Sequence, residues 1–348
     1  MRTITVEDLR QVPFLDHANI NGRTIRSLSF YSDGEWHFWL TTERGLFKSK
    51  GTPGEALYFG KDPEREDDIH LHFIDFICQR AYWSSVEKPV EGLISDVYNL
   101  AASLAKLSLL ATHARDQDRM RLRRMVNTEL EYLFSTCRSM FDLLQETIAA
   151  LWKTVRLLDE SVVKRPLPLA FSDVLLKSGR PLTVAEIQQR YGLPQELALF
   201  YEESAPFFTQ LRSFRDNIIH RGSTFDMVYV TENGFAVHER LRPFCDFGVW
   251  NEPHKLPNGL CSLRPVASYV VLRTLEACDR FSRLLESCIQ FPPPIAPGFR
   301  VFVRGFCNGE LASVDAVVKQ CLWWNTTVAP PALDRESASS EGAKPIDS

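Results

Sequence analysis

At 348 residues, with 45% hydrophobic and 24% charged side chains, the chain has an ordinary globular balance and enough length for a substantial core, with two domains the natural expectation. A net charge of −4 argues against broad electrostatic capture of nucleic acid and leaves room only for a local basic patch. No apolar run suggests a bilayer span, Met1–Asp8 has no apolar signal core, and eight cysteines without a C-x-x-C pair read as free thiols rather than a zinc site, so a cytoplasmic protein without cofactors is expected.

In chain order, residues 23–60 read as a small antiparallel meander. Turns at Ser32-Asp33-Gly34 and Glu43-Arg44-Gly45 separate runs such as Trp36-His37-Phe38-Trp39-Leu40, rich in strand-favouring aromatics. The run Ile69–Ile77 fits a strand or a buried helix equally well. Residues 91–113 carry apolar side chains at helical spacing. From Leu122 to Leu158 apolar residues advance by three or four, one stripe on a helix of about 40 residues and about 60 Å. Such a stripe needs helical partners.

Pro166 and Pro168 stop that pattern. Thr183-Val184-Ala185-Glu186 is a capping box opening a short helix that closes at Gly192. Pro194 suits the first turn of the next helix, and Pro206 is expected to begin another, Phe207 to His220, stopped by Gly222. Glu232-Asn233-Gly234 marks a hairpin over 226–239. Pro265 opens a last long helix, ended by Pro292–Pro294, and 299–304 reads as a short strand. From Pro330 the chain is polar and reads as a disordered tail. The organisation expected is a β-rich module over 1–88, a helical bundle over 89–291, an extension over 292–329 and a tail over 330–348. The fold class expected is mainly α, an up-and-down bundle with a small N-terminal antiparallel β module and a β-hairpin insertion.

The best chemical clue is Arg215-Asp216-Asn217-Ile218-Ile219-His220, at the end of an amphipathic helix. Arginine is permanently charged and clamps phosphate with two parallel hydrogen bonds. Histidine titrates near neutrality and can take or give a proton. Asp216 can orient a neighbour, and Asn217 and Arg221 can bind substrate. The segment resembles the R-x4-6-H motif of the HEPN superfamily, with a spacing of four and Asp216 in the polar place after the arginine. The resemblance implies a dimeric helical bundle and metal-independent endoribonuclease activity, of toxin–antitoxin or phage-defence type. Arg215, Asp216 and His220 would then be catalytic, and an antitoxin or regulatory protein a further partner. The alternative is a non-catalytic interaction or ligand-binding protein of the same kind. Arg10 with His17, and Arg65 with His70, also satisfy R-x4-6-H but lack a helical setting.

Other features carry less. Arg115, Arg119, Arg121, Arg123 and Arg124 could contact RNA phosphates, against the plainer reading of a solvated helix end partly neutralised by Asp116 and Asp118. Residues 182–203 imitate a helix-turn-helix, yet no Lys or Arg occurs from Tyr191 through Leu211, so sequence-specific DNA reading is not expected. His70 and His72 would share one face of a strand, too few ligands for zinc. Trp323 and Trp324 are expected to pack on the body.

Overall fold

Near the N-terminus the chain turns on two-residue loops. Ser32 pairs with Glu35 across Asp33-Gly34, and both loop residues have positive φ, 55° and 81°, the backbone that suits a twisted hairpin. The computed structural model describes residues 5–114, 117–221, 228–242 and 244–326. Arg115, Asp116, Gly222 and the tail from 330 lie outside the described residues. A short capped helix, α1 (Val6–Leu9), precedes strands β1 (Ser29–Ser32), β2 (Glu35–Thr42), β3 (Gly45–Ser49) and β4 (Ala56–Gly60). Strand β5 (Ile69–His70) leads into helix α2 (His72–Phe76), so the ambiguous apolar run divides between strand and helix. His70 and His72 therefore do not share a strand.

The expected fold class is corrected here. Helix accounts for 52% of the chain and strand for 16%, so the chain is mixed rather than mainly α. The largest sheet has six strands and draws on both ends of the chain. The late strand β13 (Arg300–Arg304) lies between β4 and β5, giving the order β3-β2-β1-β4-β13-β5. β1 pairs with β4 in parallel, while the other pairings are antiparallel. A self-contained antiparallel module was the expectation because local periodicity reports strands and not which distant strand they pair with.

Four long helices pack on one another: α3 (Glu87–Thr112), α4 (Arg119–Trp152), α7 (Gln195–Arg221) and α8 (Arg264–Cys288). Asp118 caps α4 by accepting from the Arg121 amide at 2.9 Å. The α4 stripe is buried from Leu122 to Trp152, each large apolar side chain contributing about 1.5–3 kcal/mol. α4 ends at Trp152, before Leu158 where the stripe was expected to run, and Lys164 Nζ donates to the Trp152 and Val155 carbonyls beyond its end, both at 2.6 Å. Leu158, the last residue of the stripe, is 59% exposed. The stretch Ser84–Thr112 is long and apolar enough by composition to cross a membrane, contrary to expectation, but Leu93, Ile94, Val97, Leu100, Leu104 and Leu107 are buried in the core.

α7 is one helix with Pro206 inside it, not two. Proline removes a backbone donor and crowds the preceding turn; Pro206 faces solvent, where water can satisfy the freed carbonyl. Between the long helices lie β6 (Arg156–Leu157), α5 (Phe171–Leu175), the hairpin β7 (Leu176–Lys177) and β8 (Arg180–Pro181), and α6 (Val184–Tyr191). The Thr183–Glu186 capping box forms as expected, and Gly192 ends α6 in the left-handed region. Strands β9 (Tyr229–Thr231) and β10 (Gly234–His238) form the expected hairpin, and β11 (Leu260–Ser262) adds a third strand to it. β12 (Ile289–Gln290) pairs with β6, and helices α9 (Asn308–Ala312) and α10 (Val314–Gln320) follow β13.

Candidate functional site

Ring contacts fix the direction of α7 against α4. Phe214 lies 4.4 Å from Phe134, and Phe208 lies 5.7 Å from Phe141. The Tyr201 hydroxyl donates to Gln145 Oε1 at 2.6 Å. Rising residue numbers on one helix meet falling numbers on the other, so the two run antiparallel. α3 is antiparallel to α4 too, since Gly92 lies against Leu143 while Ser103 bonds Glu129 at 2.6 Å. Strands β6 and β12, which follow α4 and α8, pair with each other; α8 therefore runs parallel to α4. The ends of α3 and α7 and the starts of α4 and α8 thus gather at one pole.

Arg215, Asp216, Asn217, His220 and Arg221 all fall in the last two turns of α7, at this pole. Their side chains lie outside the described residues. Upstream of them the two faces of α7 are distinct. Exposed Pro206, Thr209 and Arg212 alternate with buried Ala205, Phe208 and Leu211. Along the α7 backbone Asp216 and His220 are four positions apart, about one helical turn. Arg215 and His220 are about 140° apart around the axis at 100° per residue.

At the same pole α4 begins with Arg119, Arg121 and Arg124, exposed, and Arg123, half-buried. Asp118 is engaged in capping rather than in pairing with them. Two polar cavities open beside them. One, of about 620 Å³, is lined by Arg264, Glu310, Trp324 and the turn Glu232-Asn233 among others. The second, of about 720 Å³, is lined by Gln117, Arg119 and Leu256 among others. Both include Ala114, Thr231 and Glu232, so they adjoin.

The remaining candidates take structural roles. His72 bonds Ser282 Oγ at 2.8 Å through Nδ1 and approaches Glu286 at 3.0 Å through Nε2, tying α2 to α8. Asp279 receives the Phe73 amide at 2.9 Å; burial holds both its carboxyl and that of Asp75 above the usual range. Burial pushes the Cys78 and Cys137 thiols up to about 12, so neither is an available thiolate near neutrality. Trp323 and Trp324 pack on the body, their ring N–H groups donating to the His254 and Phe235 carbonyls at 3.0 and 3.2 Å. In 182–203, Leu182, Ile187, Leu193, Leu197, Phe200 and Tyr201 are core residues.

Arg264 is a polar residue of the pole that the sequence reading did not single out. It is 8% exposed, and burial lowers its pKa from the usual guanidinium value. The signal for it was a lone charge in the apolar stretch Leu260-Cys261-Ser262-Leu263-Arg264-Pro265-Val266. Compared with protein-family models, with curated proteins and with solved structures, the chain gives no match.

Proposed function

We propose that the chain is a metal-independent endoribonuclease of HEPN type, acting as a cytoplasmic homodimer in a toxin–antitoxin or phage-defence setting. The observation that supports this reading is the convergence, at one pole, of the α7 end that holds Arg215–His220 and the arginine-rich start of α4. Separately, each is an ordinary helix end. Together they set a proton-transfer group beside a basic surface that RNA phosphates would occupy.

In this reading His220 moves protons between the ribose 2′-hydroxyl, solvent and the leaving oxygen. Arg215 stabilises charge developing on the phosphate, and Asp216 orients the pair. Asn217 and Arg221 hold the strand. The attacking group is the neighbouring 2′-hydroxyl, so products end in 2′,3′-cyclic phosphate and DNA is not cut. The test is end-group analysis of the products from an RNA and from the same strand carrying one 2′-deoxy nucleotide. Cyclic phosphate ends, with cleavage lost 3′ to the deoxy nucleotide, are expected. Cleavage at the deoxy position would refute the reading. Sedimentation at micromolar concentration tests the dimer, and a purely monomeric mass would contradict it.

A further inference from the structure

Arg264 is a buried cation that forms no ion pair among the described residues. It is the first residue of α8, the positive end of a 25-residue helix. Its Nη1 donates to the Trp323 and Thr326 carbonyls at 2.9 and 2.8 Å, which holds the 323–326 segment in place. Both of these bonds come from a single nitrogen. Among the described residues no carboxylate forms an ion pair with Arg264, and Glu310 acts on it only at longer range. A buried unpaired charge is costly unless an anion joins it. The guanidinium lines the cavity of about 620 Å³, within the usual size of a small-molecule site.

The cavity lining also includes an aromatic ring, Trp324, and the amides of Asn233 and Asn325. Trp324 lies so close over Gly234 that a Cβ there would come within 2.5 Å of the ring. Asn325 Nδ2 donates to Asn233 Oδ1 at 2.8 Å, which fixes the hairpin turn beside Trp324. Glu232 also lines the cavity and can accept hydrogen bonds from a base amino group.

We propose that this cavity binds a nucleoside phosphate, with the phosphate on Arg264 at the start of α8 and the base against Trp324 and the 232–233 turn. The site does not depend on the cleavage chemistry. Its occupant is a free nucleotide or one nucleotide of an RNA strand; the phosphate ester and base are common to both. Glu310 opposes the phosphate, which gives the site a sign that can be tested.

The experiment is calorimetric titration of the full chain with adenosine 5′-monophosphate, with adenosine and inorganic phosphate as partial probes. The monophosphate is expected to bind at least about tenfold more tightly than adenosine, as a charge-assisted contact requires. Glu310→Gln should tighten the monophosphate several-fold and leave adenosine unchanged. Arg264→Met should abolish the difference between the two. If Arg264→Met does not fold, Glu310→Gln decides, because that side chain is partly exposed. A 2′-O-methyl pentanucleotide that displaces the monophosphate assigns the site to an RNA strand; a pentanucleotide that does not displace it assigns the site to a free nucleotide. No binding of monophosphate or pentanucleotide at millimolar concentration, or binding indifferent to Glu310→Gln, would overturn the proposal. Cleavage by the wild type with no binding in this cavity would leave the ribonuclease reading intact and remove only this site.

Discussion

Replacing Arg304 with methionine tests whether the late strand β13 completes the sheet through a buried ionic network. The Arg304 side chain is 1% exposed, as is that of Asp68. Nε donates to Asp68 Oδ1 at 2.9 Å and Nη2 to Oδ2 at 2.5 Å, with Glu64 also paired to Nη2. Burial works against the guanidinium charge, but the bonds to Asp68 and Glu64 outweigh it and hold its pKa above the usual value. Asp68 accepts in addition from the Tyr58 hydroxyl at 2.7 Å and the Arg65 amide at 2.9 Å. Methionine fills similar space without charge, so the variant leaves a buried carboxylate with neutral donors alone. Removing one partner of a buried pair costs about 3–5 kcal/mol. The guanidinium also sits 4.7 Å from the Trp36 ring centroid, a contact worth up to about 2 kcal/mol when desolvated. Denaturant unfolding followed by circular dichroism measures the loss. Arg280→Met is the control, since Arg280 pairs with Glu203 where both side chains are about half exposed and a surface pair is worth about 0–1 kcal/mol. Adding Asp68→Leu to Arg304→Met should recover stability, because no buried charge is then left unpaired. A loss no larger than that of the control would refute the buried network.

Three further outcomes follow from the same reasoning. Gly192→Ala should destabilise by more than the roughly 1–2 kcal/mol of a left-handed alanine, because its Cβ would lie 1.9 Å from the Val163 carbonyl oxygen; thermal unfolding reads this, and a neutral effect would contradict it. Tyr201→Phe should cost about 1–3 kcal/mol, since it leaves the fully buried Gln145 Oε1 without its 2.6 Å donor. Glu186 is held down to about 2 by the Arg180 guanidinium first and the Thr183 amide second; a depressed carboxylate stabilises above its unfolded pKa near 4.5 and loses that contribution as pH falls toward 2. Glu186→Gln should therefore unfold earlier than wild type at pH 6, with a gap that narrows below pH 4.5, and a gap independent of pH would contradict the assignment.

Much of the helical structure was legible in the sequence. Thr183, Glu186 and Gly192 mark α6 by local chemistry alone, and the Leu122–Trp152 stripe marks most of α4. Asn233-Gly234 places a hairpin. The features missed depend on distant residues. β13 is an ordinary five-residue strand until β4 and β5 flank it. Pro206 reads as a helix start because the rule for proline is local, whereas α7 is held by Phe208, Leu211 and Phe214 packing along its length. Arg304 and Asp68 are 236 residues apart, and neither stands out alone. For the candidate site, the motif and the arginine cluster were each visible. Their meeting at one pole was not, because it follows from the antiparallel packing of α4 and α7.

The most direct measurement is RNA cleavage in EDTA by purified wild type beside His220→Ala and Arg215→Lys, with folding of each checked by circular dichroism. The account predicts wild-type activity without metal. Loss of the general acid–base group should reduce the rate by about 10²–10⁴, and Arg215→Lys should be severely impaired because a point charge cannot reproduce the two-pronged guanidinium contact. Undiminished cleavage by folded His220→Ala would contradict it.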